Sequence, residues 1–358
     1  MASAAAHAGY DAVIAVIGNP NTGKSTLFNA LTGLRQKTAN YPGVTVERHT
    51  GVLQIDGRRL NLVDLPGAYS LAAQSPDEMV AIDVLLGHVE DLPRPQAILA
   101  VADATNLRRN LFLVTQLAEL GLPIVLAVNM TDLAEQQNIR IDYEKLGSRL
   151  GVTVVPVVAS SGKNLDRLRE ALLAAPGSEP PRRPRLLPTV DEAARSLWQR
   201  LRDSGSHLTE YEVERALIDT QGVAERRFEF SGGPEFLAEL VELRTRLSAG
   251  SSLAAMEAKA RYDLINTLLE DVEQREERKL KPVDRLDRLT NAPLLGSILF
   301  VLVMGTVFQA VFSWSAPLMD LIDQATAGLG HFVSTSLPPG ALNDLLVDGV
   351  IAGVGSVV

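Results

Sequence analysis

The sequence lacks cysteine altogether, and it also lacks an excess of basic residues. Without cysteine, its 358 residues form no disulfide, zinc–thiolate site, iron–sulfur cluster or cysteine nucleophile. The chain has 34 Lys and Arg against 43 Asp and Glu, which gives a formal net charge of −9. Proteins that bind nucleic acid in general carry a basic surface, so we expect no nucleic-acid partner.

Charged residues are absent from one long stretch near the end of the chain. No side chain between residues 289 and 319 is charged, and none of the 34 basic residues follows Arg288. Residues 292–314 read APLLGSILFVLVMGTVFQAVFSW. About 20 apolar residues cross the hydrocarbon core of a bilayer as a helix, whereas a buried helix of a soluble protein rarely stays uncharged for so long. The pattern predicts a first membrane span over about 292–314.

The orientation of this span follows from the residues on either side of it. Six basic residues precede it between residues 275 and 288, and none follows it. Lys and Arg are enriched on the cytoplasmic side of membrane helices, so we expect residues 1–288 to lie in the cytoplasm.

Short apolar runs alternate with helical patterns through residues 11–175. This alternation is typical of a mainly parallel sheet covered by helices, and it predicts an α/β domain over residues 1–175. The predicted strands are 11–17, 51–55, 60–63, 97–102, 123–128 and 153–157, and the clearest predicted helices are 107–120 and 142–150.

The composition changes after this domain. Residues 176–188 contain five prolines, which exclude a helix or sheet interior and predict an extended linker. Residues 189–281 are rich in Ala, Leu, Glu and Arg without a strand pattern, so they predict a small all-α domain. Its helices are predicted over 210–219, 235–247 and 252–280, with a capping box at Thr209 and Glu212 and a break at residues 232–234. Residues 282–358 begin a membrane domain.

The most specific motif is G-N-P-N-T-G-K-S, which occupies residues 18–25 between a predicted strand and a predicted helix. Its two glycines let the backbone wrap a phosphate, so that N–H groups and the following helix N-terminus point at the oxygens. In such a loop Lys24 reaches the β- and γ-phosphates and the Ser25 hydroxyl binds Mg²⁺. A plain glycine turn is the alternative. The predicted phosphate-binding residues are Gly18, Asn19, Pro20, Asn21, Thr22, Gly23, Lys24, Ser25 and Thr26.

Three further motifs follow in the order that a GTPase requires. D-L-P-G (64–67) places a carboxylate near Mg²⁺ and a glycine amide near the γ-phosphate. In N-M-T-D (129–132) the final carboxylate accepts both guanine N1–H and N2–H. A-S-S-G (159–162) presents amides to guanine O6, unless its serines simply begin a helix. The residues predicted from these motifs are Asp64, Gly67, Asn129, Met130, Asp132, Ala159 and Ser160.

Together the four motifs indicate a Ras-like P-loop GTPase, with two departures. The Lys that is usual in the second position of the base motif is replaced by Met130, which weakens stacking against the base. Ala68 stands where Ras-type enzymes hold a water-orienting Gln. Because Ala cannot orient water, hydrolysis should be slow unless another group stabilises the transition state.

These motifs resemble those of the FeoB family of bacterial ferrous iron transporters. The resemblance lies in G-N-P-N-T-G-K-S-T-L-F-N (18–29), N-Y-P-G-V-T-V-E (40–47), D-L-P-G-A-Y-S (64–70) and N-M-T-D. Residues 258–272 are similar to the family's nucleotide-dissociation-inhibitor-like domain, and residues 286–312 to its first membrane helix. Residues 348–358 are similar to the opening of its pore-gate repeat, so we expect the chain to be a fragment of a longer transporter.

The resemblance implies further site residues. Thr45 would be the switch I threonine that binds Mg²⁺ together with Ser25 and Asp64, within a switch over residues 35–50. Asn21 matches the position at which potassium-activated relatives hold K⁺, which would offset the charge that builds up between the phosphates. Alternatively, Asn21 caps its own loop. The implied catalytic residues are Lys24, Thr45 and Gly67, and the implied further nucleotide contacts are Gly43 and Val44.

The resemblance also implies the function and the partners. We expect a Mg²⁺-dependent, K⁺-stimulated GTPase that binds GTP and GDP and forms the cytoplasmic part of an Fe²⁺ transporter in the bacterial inner membrane, multi-pass in full length. The helical domain would pass the state of the switch to the pore. Small accessory proteins and further copies of the chain would be partners. Two alternatives are a membrane-anchored GTP-dependent sensor and a soluble ribosome-assembly GTPase, which would need a basic RNA-binding domain.

Overall fold

The structure is a computed structural model that separates into two compact units, Met1–Glu277 and Arg278–Val358. It describes residues 9–33, 36–41, 46–72, 76–89, 91–248, 250–275, 290–338, 340–351 and 353.

A seven-stranded sheet forms the centre of the first unit. Its strands are β1 (Ala12–Gly18), β2 (Gln36–Asn40), β3 (Glu47–Ile55), β4 (Arg58–Asp64), β5 (Ala97–Asp103), β6 (Ile124–Asn129) and β8 (Thr153–Pro156), in the order β2-β3-β4-β1-β5-β6-β8. β4, β1, β5, β6 and β8 run parallel, whereas β2 and β3 are antiparallel to their neighbours. The predicted mainly parallel sheet is confirmed.

The structure differs from the predicted strands in two ways at the antiparallel edge of the sheet. The strand predicted over 51–55 begins at Glu47, and the sequence reasoning missed β2. The polar sequence QKTAN of β2 has no apolar alternation, so only its pairing with β3 makes it a strand.

Among the described residues, six helices cover the sheet on both faces. They are α1 (Lys24–Thr32), α2 (Pro76–Leu86), α3 (Leu107–Leu117), α4 (Thr131–Gln136), α5 (Tyr143–Leu150) and α6 (Leu165–Ala174). Alternate residues of β1 belong to two different core clusters, one against α1 and α6 and the other against α2, α3 and α5. Every residue of β1 is buried, as expected for a strand covered on both faces.

Four helices follow in the part of the unit's second half that the structure describes. They are α7 (Pro188–Asp203), α8 (Glu210–Ile218), α9 (Val223–Ser248) and α10 (Leu253–Leu269). The capping box of Thr209 and Glu212 is confirmed at the start of α8. The predicted break appears as a kink within α9, where Gly233 has φ 75° and Pro234 follows. α7 begins at Pro188, the last residue of the predicted linker.

The helix predicted over residues 252–280 is wrong between residues 270 and 275. α10 ends at Leu269, and Asp271, with φ 57°, turns the chain. Residues Glu273–Arg275 then form strand β9, which pairs antiparallel with β7 (Ile139–Ile141). The local composition favours a helix, but a partner strand distant in sequence decides the conformation. Residues 276–280 of the prediction lie outside the described residues.

The second unit contains a long apolar helix. α11 (Pro293–Gln309) continues through a π-helical stretch (Ala310–Trp314) into α12 (Ser315–Ser336), followed by α13 (Ala341–Asp344) and a second π-helical stretch (Leu345–Ile351). Within the described part of the chain, Pro293–Ser336 is the one helix that is long and apolar enough to cross a membrane, with a mean hydropathy of 2.2 over its most apolar window.

The sequence predicted that the helix would end near residue 314, and this prediction is wrong. At that point it changes to π-helical geometry and continues. Pro317 follows three residues later, and proline removes one backbone hydrogen bond and crowds the preceding turn. A π-helical turn accommodates such a disturbance without ending the helix.

Candidate functional site

The loop between β1 and α1 has the shape that its two glycines require. Gly23 precedes α1 with φ 79°, and a Cβ atom there would lie 2.3 Å from the Asn129 side-chain nitrogen. A Cβ atom on Gly18 would lie 2.4 Å from the Val101 carbonyl oxygen. Both positions therefore exclude a side chain, and the loop leads directly into the N-terminus of α1, where backbone N–H groups can hold an anion.

Asn129 joins three of the predicted motifs through its side chain. It is 3% exposed, and its Nδ2 donates to the Thr22 carbonyl at 2.9 Å. Its Oδ1 accepts the Ala159 N–H at 3.0 Å. Thr22 in turn donates its hydroxyl to the Asn19 carbonyl at 2.8 Å. Both ends of the Asn129 amide are thus used to hold the phosphate loop and the A-S-S-G loop at one edge of the sheet.

The remainder of the base motif begins α4. Met130 has φ 61° and ψ 34°, a left-handed conformation that is unusual for a residue other than glycine. The Met130 Cε lies 3.5 Å from where a Cβ on Gly23 would be, so this side chain lies against the phosphate loop. Thr131 is buried and donates to the Val157 carbonyl at 3.3 Å. Asp132 is half-buried in the first turn of α4.

The D-L-P-G segment lies directly against the phosphate loop. The Ala68 N–H donates to the Gly18 carbonyl at 3.2 Å, and a Cβ on Gly67 would lie 3.4 Å from the Pro20 nitrogen. Gly67 itself is exposed, whereas the methyl group of Ala68 is buried. A buried methyl group neither donates nor accepts a hydrogen bond, so position 68 leaves the orientation of water to other groups.

Lys24 and Asp64 form an ion pair at the entrance to α1. The carboxylate of Asp64 accepts a hydrogen bond from Lys24. Ser25, the next residue in the sequence, has an exposed hydroxyl. Oxygen donors of this kind fit Mg²⁺, a hard cation bound through one or two protein ligands together with phosphate oxygens.

The two asparagines of the loop have different environments. Asn21 is exposed with φ 67°, and its side chain makes no hydrogen bond to another described residue. The loop is held by the hydroxyl of Thr22 and the side-chain amide of Asn129. Asn19 is 3% exposed, and within the described residues neither polar atom of its side chain has a hydrogen-bond partner.

The predicted switch I is described only at its two ends. Gly43, Val44 and Thr45 lie outside the described residues, while β2 and the start of β3 border them. The Tyr41 N–H donates to the Val46 carbonyl at 3.0 Å across this segment. Burial raises the pKa of the Tyr41 phenol well above its usual range, so the ring stays neutral in the core.

Sequence reasoning missed the contact that leads away from the D-L-P-G segment. The Leu71 N–H, just after D-L-P-G-A-Y-S, donates to the side chain of Gln116 on α3 at 2.8 Å. Gln116 is 2% exposed, so this hydrogen bond is shielded from water. No local pattern marks a glutamine in the middle of an amphipathic helix as a partner of a loop that is 45 residues away.

Thr115 of α3 and Glu119, in the 3₁₀ turn that follows α3, belong to a buried ionic network that sequence reasoning also missed. Arg261 of α10 is 0% exposed and donates to Glu119 at 2.6 Å and to Thr115 at 3.3 Å. It also pairs with Glu257, which accepts from Arg215 of α8 at 2.9 Å. Burial raises the pKa of Glu119 despite Arg261, whereas the two arginines overcome burial and lower the pKa of Glu257.

The family model described as "Ferrous iron transport protein B" matches residues 12–172. The Fe(2+) transport protein A/Fe(2+) transporter FeoB fusion protein of Porphyromonas gingivalis is 32% identical over 96% of this chain and 42% of its own length. The Fe(2+) transporter FeoB of Staphylococcus aureus is 34% identical over 96% of this chain and 52% of its own length. The chain thus spans about half the length of the curated relatives it matches.

Solved structures are similar to the first unit. The cytosolic domain of L. pneumophila FeoB is 35% identical, with a TM-score of 0.62 over 74% of this chain and 100% of that one. An S. thermophilus NFeoB mutant bound to GDP is 32% identical, with a TM-score of 0.65 over the same shares.

Proposed function

The chain belongs to the FeoB family, and on that premise we propose that it is the GTP-hydrolysing part, with the start of the membrane part, of an Fe²⁺ transporter. One observation carries the nucleotide part of this proposal. The phosphate loop, the D-L-P-G segment, the base motif and the A-S-S-G loop meet at one edge of the sheet, joined by Asn129 and by the Ala68–Gly18 hydrogen bond.

The phosphates bind where the loop enters α1. The backbone N–H groups from Asn21 to Thr26 hold the phosphate oxygens, with the positive end of the helix dipole behind them. Lys24 leaves its ion pair with Asp64 and turns to the β- and γ-phosphates. The Gly67 amide donates to the γ-phosphate from the opposite side. Gly43, Val44 and Thr45 complete the contacts from the switch.

The base binds against α4 and the A-S-S-G loop. Asp132 accepts N1–H and N2–H of guanine, a donor pair that adenine does not offer, and the amides of Ala159 and Ser160 face O6. Asn129 fixes both loops relative to the phosphate loop, so the base and the phosphates are held in one geometry. Met130 takes the place of the usual lysine beside the loop.

Two cations fit the side chains that are present. Ser25 and Asp64, with Thr45 from the switch, would hold Mg²⁺, and the amide oxygen of Asn21 would hold K⁺. Such cations offset the negative charge that develops on the phosphates in the transition state. Ala68 is buried and apolar, so position 68 supplies no side chain that orients the attacking water.

A route from the D-L-P-G segment to the helical region supports the proposed coupling to a pore. Leu71 binds Gln116 on α3, and Arg261 on α10 binds Thr115 of the same helix and Glu119 in the turn that follows it. Movement of the D-L-P-G segment on hydrolysis therefore changes the packing of α3 against α10.

The partners and the location belong to the same proposal. The fusion of transport protein A with FeoB in P. gingivalis supports a small accessory partner for this chain, and further copies of the chain are proposed partners too. The apolar helix supports a place in the bacterial inner membrane, with further spans in the full-length protein. The relatives are named as ferrous iron transporters, which supports transport over a membrane-anchored sensor or a ribosome-assembly GTPase.

Uptake of Fe²⁺ tests the function as a whole. The full-length gene is expressed in cells that lack their own ferrous transporter, as wild type, as Lys24→Ala and as the control Lys259→Ala, which changes an exposed lysine of α10. We expect uptake in the wild type and the control and none in Lys24→Ala, because the phosphate contact is lost.

Each other outcome has a defined meaning. Uptake that survives Lys24→Ala would make the GTPase a regulator of transport at most. Absence of uptake in all three strains, despite normal expression, would contradict Fe²⁺ as the transported ion.

A further inference from the structure

A two-stranded sheet joins the base motif to the last described residues of the first unit. β7 follows α4, the helix that carries Asp132, after two residues. β9 pairs with it in antiparallel register, with Arg140 opposite Gln274. Neither strand belongs to the seven-stranded sheet, and among the described residues each has the other as its only strand partner.

Apolar packing stabilises this short pair. A two-stranded ribbon is marginal by itself in water. Here Ile139 of β7 and Val272, next to β9, are buried in the same cluster as Ala134 of α4 and Leu269 of α10. The Asp142 N–H donates to the Val272 carbonyl at 2.9 Å. The buried face of the base-motif helix and the approach to β9 therefore share one core.

Polar contacts also connect residues 267–275 to the α/β domain. Arg149 of α5 donates to the carbonyls of Thr267 and Leu268 at 2.9 and 3.1 Å, which caps the C-terminal end of α10. Arg275 donates to the Thr105 carbonyl at 3.3 Å, and Lys145 pairs with Asp271 at 3.7 Å. All these contacts lie between the end of α10, or β9, and the α/β part.

The position of β9 in the sequence gives the pair its significance. Arg275 ends β9, and the apolar helix begins at Pro293 after 17 further residues. The chain that leads into the apolar helix therefore departs from β9, the strand that pairs with β7 beside the base motif.

We propose that the β7–β9 pair controls how long guanine nucleotide stays bound. While β9 is paired, it holds β7, α4 and hence Asp132 against the base. When the chain beyond β9 is displaced, β7 and α4 loosen and the nucleotide dissociates from the base side. The membrane part thus acts on nucleotide exchange through the base motif, in addition to any coupling through the D-L-P-G segment and α3. This inference rests on the proposed function, because it requires guanine at Asp132.

A disulfide across the pair tests the closed state. Opposite residues of an antiparallel pair lie within the Cα separation that a disulfide needs, and the chain has no native cysteine to interfere. Arg140→Cys/Gln274→Cys is made in the 358-residue chain in detergent, and release of a fluorescent GDP analogue is timed by stopped flow. The matched control is Gln54→Cys/Arg59→Cys, an opposite pair on the β3–β4 hairpin. We expect oxidation to slow release about threefold or more in the first protein and to leave the control unchanged.

A second variant tests the open state. Gln274→Pro removes a backbone donor from β9, and we expect it to speed GDP release about tenfold, the rate equivalent of roughly one net hydrogen bond. The rate of hydrolysis of bound GTP, measured in a single turnover, should change far less, because the phosphate loop is not touched.

The two rates also separate this inference from the proposed function. If nucleotide binds but neither the verified disulfide nor Gln274→Pro changes its release, the inference is overturned while the GTPase assignment stands. If the wild-type chain binds no guanine nucleotide, the proposed function itself has failed. Equal slowing by the control disulfide would also overturn the inference, since the effect would not be specific to the β7–β9 pair.

Discussion

At the scale of single residues, the site depends on a few side chains that replace backbone contacts between loops. Asn129 is the clearest, because one amide satisfies the Thr22 carbonyl and the Ala159 N–H at once. The sequence predicted that Asn129 contacts the guanine base. The structure shows that its side chain also connects the phosphate loop to the A-S-S-G loop. The motif was recognisable in the sequence by its residue types at the end of a predicted strand, whereas the hydrogen-bond partners of Asn129 are 107 and 30 residues away.

Asp132→Asn should weaken GTP binding by roughly 1–3 kcal/mol, the cost of leaving buried donors of the base without an acceptor. The affinity is measured by titration with a fluorescent GTP analogue. An asparagine amide donates where the carboxylate accepts, so the variant should gain affinity for xanthosine triphosphate, which has a carbonyl at that position. Unchanged GTP affinity would remove Asp132 from the base site.

If Asn21 binds K⁺, the rate of GTP hydrolysis should depend on the monovalent cation. Hydrolysis of GTP should be faster in KCl than in NaCl, and Asn21→Ala should abolish the difference because the amide oxygen is lost. Since Asn21 has φ 67°, alanine also strains the loop, so Asn21→Gly is the matched variant that removes the amide without strain. Equal wild-type rates in both salts, or a salt difference that persists in Asn21→Gly, would contradict a potassium site at this residue.

At the scale of secondary-structure elements, buried charges join α10 to the 3₁₀ turn that follows α3. Arg261 lies between Glu119 and Glu257, and its guanidinium also lies 5.6 Å from the centre of the Phe112 ring. A buried pair contributes little net stability while it is intact, but removal of one partner leaves the other charge uncompensated.

Arg261→Met should therefore lower the free energy of unfolding of residues 1–281 by about 3–5 kcal/mol. Urea titration followed by circular dichroism measures the change. Addition of Glu119→Gln to the same protein removes one of the stranded charges and should recover part of the loss. A single variant as stable as the wild type would mean that the network does not hold α3 and α10 together.

At the scale of the whole molecule, the chain combines a nucleotide-binding unit with a unit whose long helix exposes apolar side chains. The helix Pro293–Ser336 has 44 residues, and its most apolar stretch has no buried residue. At 1.5 Å per residue it is about 66 Å long. That length exceeds the hydrocarbon core of a bilayer, which is about 30 Å thick.

Membrane extraction tests this division. The 358-residue chain expressed in bacteria should stay in the membrane pellet through high salt and alkaline carbonate, because burial of the helix in lipid is hydrophobic and not electrostatic. A chain that ends at residue 275 should remain in the supernatant and still bind GDP. Release of the longer chain by carbonate would contradict a spanning helix and would favour a peripheral protein.

The sequence by itself determined the features that depend on neighbouring residues. The glycines at 18 and 23, the charge-free stretch from 289 to 319, the capping box at Thr209 and the break near Gly233 each follow from local sterics, capping or hydropathy. The alternation of short apolar runs with helical patterns predicted the α/β fold, and the order of the motifs predicted a nucleotide site at the ends of its strands.

Only the tertiary structure decided the contacts between distant residues. It turned the end of a predicted helix into β9, paired β2 with β3, continued the apolar helix beyond residue 314, and brought Arg261 to Glu119 across 142 residues. A local pattern reports what a segment prefers in isolation. A buried charge or an edge strand takes its conformation from a partner whose position depends on the whole fold.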